Sequence, residues 1–281
     1  MTLRRISTPN EIEYFLHGLR QLVLKEPSLI PVVARLSQPH TKHYIQVYTD
    51  HHQPERCDKI MLIRPTIGDL LNNKKINGRQ KCRPTNYVYL CWCNDFGKLT
   101  INDIGEYLCF YTKGSSIEET DQRLCKWILA TAKEPISEFI SLILRYRKSR
   151  LVPPEIELKN YVINFCTMED YAQMIQFYLP ARGFQFDFQL AIMNRFAFGA
   201  YHKETNQLCG WLMISSAGTI KKAYTRTKHR GNGIFSSLLQ MAIKTCIENN
   251  MPCYLYTYEG KHASEKHEFV TYNDAVYYQD F

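Results

Sequence analysis

The chain is 281 residues long, 45% hydrophobic and 22% charged, with a formal net charge of +8. At ~150 residues per domain this length makes about two domains, and the composition is that of a globular protein, not a disordered, collagen-like or coiled-coil one. The mild basic excess allows an anionic ligand without demanding nucleic acid, and no apolar run approaches the ~18 residues of a membrane span.

In chain order, residues 9–25 carry Ile12, Phe15, Leu16, Leu19 and Leu22 at the spacing of an amphipathic helix. Residues 44–48 and 59–63 read as strands. The polar, basic stretch 71–81 reads as a loop, and its basic run over 74–81 as a solvated face. Residues 87–93 and 107–111 read as strands, and 117–130 and 136–147 as helices. No chemical motif stands out in this half. A basic stretch from Arg145 ends in Pro153 and Pro154, which stop a helix and favour an extended linker. It divides the chain into an expected first domain, 1–150, and a second, 151–281.

Ten cysteines in a chain of this length, with no Cys-x-x-Cys pair and no Asn-x-Ser/Thr site, point to free thiols in a reducing interior. The start, Met1-Thr-Leu-Arg-Arg, has no apolar signal core. The expected location is intracellular and cytoplasmic, with a mitochondrial one as the alternative. Cys91 and Cys93 share one face of a β-rich run and read as small hydrophobes. A zinc site recruiting His51, His52 and Cys57 lacks a matching second pair, so no metal is expected.

The second half has a clearer rhythm. Residues 160–166 read as a strand. Thr167, with Asp170 three residues on, opens a helix in the manner of a capping box. A second short helix spans 187–195. Residues 196–202 and 208–215 form a hairpin across the polar turn at 203–206, and 219–227 adds a third strand. A glycine-containing turn, a long helix to about Glu248, a strand at 253–258, a short helical stretch and a last strand near 268–278 complete the order β-α-α-β-β-β-α-β-α-β.

The chemistry lies in the turn. A β-rich run enters it, Gly231 and Gly233 sit within it, and an amphipathic helix leaves it, burying Phe235, Leu238, Leu239, Ala242, Ile243 and Cys246. First-turn N–H groups have no intrahelical partner, and with the helix dipole they attract anions such as a pyrophosphate. The two glycines remove the Cβ that would keep a ligand away, and Lys228, His229 and Arg230 add positive charge. The pattern is neither the Gly-x-x-x-x-Gly-Lys-Ser/Thr loop nor Gly-x-Gly-x-x-Gly, so ATP and dinucleotide readings fall away.

Arg230-Gly-Asn-Gly-Ile-Phe235 resembles the Arg/Gln-x-x-Gly-x-Gly/Ala signature of the GNAT acyl-CoA-dependent N-acyltransferases. More narrowly, Cys209-Gly-Trp-Leu-Met213, Gly218, His229-Arg230 and Met251-Pro-Cys-Tyr254 resemble the glycine N-acyltransferase-like family. The resemblance implies an α/β (α+β) GNAT fold, a mixed and mostly antiparallel sheet flanked by helices. It also implies that the N-terminal half is a degenerate copy of the same fold. Coenzyme A, as acyl-CoA, would be a substrate, with no metal, and a small amine such as glycine or another amino acid would be the acceptor. Neither nucleic acid nor a membrane is an expected partner. Ala223, Tyr224 and Thr225 would lie on the strand that pairs with the pantetheine arm, between strands that splay apart. Backbone N–H groups of Arg230, Gly231, Asn232, Gly233, Ile234, Phe235 and Ser236 would hold the pyrophosphate, and an N–H near Thr225 would stabilise the oxyanion. Trp211, Met213 and the Tyr254/Tyr256 region would line the acyl pocket.

Two departures from the family pattern stand out. The small last residue of the signature is Phe235, which either crowds the diphosphate or turns into the core. The carboxylate that the glycine-conjugating relatives place after the turn is Thr219 here, and no Asp or Glu occurs between Asn206 and Ile247. The tyrosine used by many GNAT enzymes falls on or near Ser264. His202, His262, Tyr256, Tyr258 or a water chain remain as sources of a base, and no catalytic residue is assigned. A non-catalytic acyl-CoA-binding homologue and a peptide or protein acetyltransferase are the alternative functions.

Overall fold

The structure of the protein, a computed structural model, describes residues 4–6, 8–26, 29–38, 46–64, 87–93, 140–177, 185–215, 218–257 and 265–278. The expected loop at 71–81, strand at 107–111 and helix at 117–130 lie outside these residues. The chain divides into two compact units, one of Met1–Leu36, Thr41–Ile143 and Tyr272–Phe281, the other of Ser37–His40 and Leu144–Thr271.

The first unit holds an antiparallel sheet in the order β1 (Arg4–Ile6), β2 (Gln46–Thr49), β3 (Lys59–Arg64), β4 (Tyr87–Cys93). Helix α1 (Pro9–Leu22) starts on a capping box. The Glu11 backbone N–H donates to Thr8 Oγ1 at 3.2 Å, and the Thr8 N–H donates to the Glu11 carboxylate at 3.0 Å. Its apolar stripe buries Phe15, Leu16 and Leu19 against Val47 and Ile60. Helix α2 (Ile30–Ser37) has no counterpart in the sequence reading. It is buried along its whole length, Arg35 and Ser37 included, and its eight residues make only about two turns, fewer than a 3.6-residue pattern needs to stand out. The Cys57 thiol donates to the His51 carbonyl at 3.0 Å, and burial pushes its pKa up to about 11, which makes it a structural group.

The second unit has the expected mixed α/β architecture, built on a mostly antiparallel sheet of seven strands. Its elements are β5 (Ile140–Arg147, in this unit from Leu144), β6 (Tyr161–Phe165), α3 (Met168–Phe177), α4 (Gln185–Met193), β7 (Ala197–His202), β8 (Leu208–Ile214), β9 (Ile220–Thr225), α5 (Ile234–Glu248), β10 (Cys253–Thr257) and β11 (Phe269–Tyr278, in this unit to Thr271). The sheet order is β11-β5-β10-β9-β8-β7-β6. The pairs from β6 to β9 are antiparallel, whereas β9 and β10 run parallel, joined by α5 as the crossover. Asn206 takes the left-handed conformation, φ +53°, that the tight β7–β8 turn needs.

One element is corrected. Residues 140–147 form a strand, not the C-terminal half of a helix over 136–147. Apolar residues there satisfy both spacings, and the ladder positions beside β10 and β11 decide between them. The same strand removes Arg145 and Arg147 from the expected linker. Both are buried, with Arg145 Nε donating to Thr257 Oγ1 at 3.0 Å. The extended segment begins after them and runs along α5. There Gln240 accepts from the Ile156 N–H at 3.1 Å and donates to the Pro154 carbonyl at 2.7 Å.

Side chains on β8 alternate between the two faces of the sheet. A Cβ on Gly210 would lie 3.0 Å from Ile234 of α5 and 3.3 Å from Thr225 Oγ1, so Gly210 and Thr225 face α5. Trp211, opposite Tyr224 in the register, faces the other way with Tyr224, towards α3.

Candidate functional site

Strand β9 is paired on one edge and open on the other. The Arg226 N–H donates to the Cys209 carbonyl of β8 at 2.9 Å. By alternation the main-chain groups of Ala223 and Thr225 point to the opposite edge. On that edge β9 and β10 are in register at a single position, Ile220 with Leu255. The β8–β9 register shifts between Trp211 and Met213, and Lys222 there has φ +58°. Such a bulge bends a strand out of its ladder, which accounts for the parting of β9 from β10. The Thr225 carbonyl on the open edge accepts from Arg230 Nε at 3.0 Å.

The turn after β9 is held by its own main chain. A 3-10 turn spans Thr227–His229, and Asn232 Nδ2 donates to the carbonyls of His229 and Arg230 at 3.1 and 3.2 Å. Gly231 and Gly233 have φ of +81° and +77°. Gly233 is the N-cap of α5 and offers no side chain, so the first-turn N–H groups of Ile234, Phe235 and Ser236 receive no cap from it. A Cβ on Gly231 would meet nothing within 4 Å, and one on Gly233 only Leu158 Cδ2 at 3.4 Å. Phe235 is half-buried and packs against the core, so its bulk is directed inward. The cradle of Arg230 to Ser236 therefore lies one short turn beyond the open edge formed by Ala223 and Thr225.

His229 sits in a cluster of aromatic and basic groups. Its Nδ1 is 3.1 Å from the Tyr161 hydroxyl, and its ring lies 6.4 Å from that of His202. Loss of solvation lowers its pKa below the ordinary 6.5, and the positive charges of His202, Arg226 and Lys228 add to that shift. A depressed histidine favours the neutral form in the fold, so its contribution to stability is present above pH 6.5 and is lost as pH falls below that value. A diphosphate bound at the turn would reverse the preference by attracting the imidazolium. If CoA binds there, calorimetry in buffers of different ionisation heat will detect proton uptake below pH 6.5, and His229→Gln will remove it.

The residues considered as bases do not form one constellation. Thr219 is buried, and its hydroxyl donates to the Tyr254 hydroxyl at 2.9 Å. This neutral pair stands at the position after Gly218 where the sequence holds no carboxylate. Tyr256 is half-buried beside Tyr254, ring centroids 5.8 Å apart. His202 belongs to the His229 cluster at the far end of β7. Tyr258, His262 and Ser264 lie outside the described residues. Trp211, Met213 and Tyr254 are fully enclosed, so of the expected acyl lining Tyr256 is the member that meets solvent.

One feature of the site was not read from the sequence. Trp211, Tyr224 and Phe177 form a stack, with centroid distances of 4.7 and 6.3 Å, and the Arg226 guanidinium lies 4.6 Å from the centre of the Phe177 ring. Arg226 Nη2 donates to Gln173 Oε1 at 2.7 Å. The i, i+2 spacing of Tyr224 and Arg226 and the i, i+4 spacing of Gln173 and Phe177 carry this signal, but only the docking of α3 on the sheet joins the pairs.

The family model described as FR47-like protein matches residues 197–267. That segment contains the Arg230–Phe235 signature, and the match supports the GNAT acyltransferase superfamily. No curated protein sequence matches the chain. Among solved structures, a Drosophila protein is 13% identical with a TM-score of 0.68, covering 99% of this chain and 98% of its own. A tandem GNAT protein from the clavulanic acid biosynthesis pathway is 12% identical with a TM-score of 0.49, covering 99% and 97%. A GCN5-related N-acetyltransferase from Sphaerobacter thermophilus is 10% identical with a TM-score of 0.46, covering 99% and 94%. The likeness to the Drosophila protein is one of fold. No described helix is long and apolar enough to cross a membrane.

Proposed function

We propose that the protein is an acyl-CoA-dependent N-acyltransferase acting on the amine of a small acceptor, glycine or another amino acid, as in the glycine N-acyltransferase-like family. The observation that carries this reading is the open edge of β9 running into a glycine turn and the uncapped N-terminus of α5. The pantetheine arm would complete the ladder at Ala223 and Thr225, displacing Arg230 from the Thr225 carbonyl and freeing its charge for the diphosphate. The deprotonated amine attacks the thioester carbonyl. The C–N bond forms first, giving a tetrahedral oxyanion, whose collapse breaks the C–S bond; the CoA thiolate leaves and takes the proton that the newly bonded ammonium gives up. An N–H near Thr225 stabilises the oxyanion, and positioning supplies much of the rate.

The neutral Thr219–Tyr254 pair favours a second reading, an acyl-CoA-binding homologue without turnover. Calorimetric titration with CoA and acetyl-CoA, followed by thiol release with a panel of amines, separates the two. Micromolar binding with CoA release supports the transferase, and binding without release on any acceptor supports the second reading. A folded protein that binds no CoA overturns both.

A further inference from the structure

The segment from Asn206 to Ile247 holds no carboxylate. Within it, Arg226 is half-buried and held in place, with its guanidinium stacked on Phe177. Of its five N–H donors, one reaches the neutral amide oxygen of Gln173. Its Nε is sealed from solvent with no acceptor. Among the described residues no carboxylate lies within ion-pair distance of it. A partly desolvated cation without a counter-charge is costly unless an anion completes it, and a stacked, planar guanidinium is preorganised for a carboxylate.

Which anion it takes follows from the faces of the sheet. The diphosphate cradle belongs to α5, on the face of Gly210 and Thr225. Arg226 shares the opposite face with Tyr224, beside α3. A nucleophile reaching the thioester on the open edge of β9 from that side passes Tyr224 and Arg226 without meeting the CoA phosphates.

We propose that Arg226, braced by Phe177 and Gln173, binds the carboxylate of the amino-acid acceptor. This rests on the transferase reading and assigns its acceptor side. The test is calorimetric titration of CoA-saturated protein with free amino acids (glycine, glutamine, glutamate, phenylalanine) and with their carboxamides. Wild type will bind at least one acid about 10- to 100-fold more tightly than its carboxamide, the range of a charge-assisted bond. Arg226→Gln will lose that preference and keep its affinity for CoA. Arg226→Lys, which keeps the charge and loses the fork, will restore part of it. The proposal is overturned if no acid binds or acid and carboxamide bind alike. It also fails if the preference survives in Arg226→Gln, or if CoA affinity falls in step with it, which would place Arg226 in the CoA site. Failure of the transferase reading shows separately, as wild-type protein that binds no CoA.

Discussion

Gly233→Glu will weaken CoA binding about 100-fold or more in calorimetry, and Gly231→Ala will weaken it with little effect on neighbouring packing. Both residues hold left-handed φ, so each substitution strains the backbone by about 1–2 kcal/mol. Beyond that strain the two differ. At Gly233 a glutamate places a carboxylate at the helix N-terminus, where like charges ~4 Å apart repel by about 4 kcal/mol at an effective dielectric constant of ~20. At Gly231 a methyl group meets no protein atom within 4 Å. Any loss of affinity there beyond the strain comes from the ligand's own approach. Thermal melts run alongside separate the two effects. A Gly233→Glu protein that stays folded and binds CoA at wild-type strength would remove the cradle from the site.

Arg147→Ala will destabilise the fold by about 3–5 kcal/mol, the loss of three hydrogen bonds from a charged donor at about 1–2 kcal/mol each. In a chain of this size that is a fall in Tm of roughly 6–20 °C. Arg147 stands on β5, and its side chain is 3% exposed. Its Nε donates to the His267 carbonyl at 3.2 Å, and Nη1 to the carbonyls of Ser149 and Leu151 at 2.7 and 2.8 Å. It also pairs with Glu268, whose side chain is 63% exposed. The three carbonyls, and not the ion pair, therefore hold the cation. Glu268→Gln will cost under about 1 kcal/mol, as solvent-screened pairs do. If the two substitutions cost the same, the ion pair and not the carbonyl cage anchors the start of the linker.

The Thr167–Asp170 pairing at the start of α3, the hairpin of β7 and β8 and the glycine turn before α5 were all legible in the sequence. Each depends on residues within a few positions of one another. The Thr167 N–H and hydroxyl donate to the Asp170 carboxylate at 2.8 and 3.0 Å within one helical turn, and Gly231 and Gly233 supply conformations that other residues adopt only with strain. The direction of Phe235 was not legible, because both faces of a helix's first turn can take a bulky residue. Packing against the core settled it. Helix α2 escaped notice because its eight residues are too few for a periodic pattern to stand out.

Local chemistry in the chain was enough to specify a glycine turn at the start of an amphipathic helix, and the absence of a carboxylate near it. The fold decided everything that depends on residues far apart in sequence. Residues 140–147 became a strand because the sheet offered main-chain partners between β10 and β11. Arg147 was buried because carbonyls as distant as His267 could enclose it. Arg226 came to lie on Phe177 and beside Gln173 because α3 docks on one face of the sheet while α5 covers the other. Burial and hydrogen bonding of this kind depend on which surfaces meet, and periodicity within a segment carries no record of that.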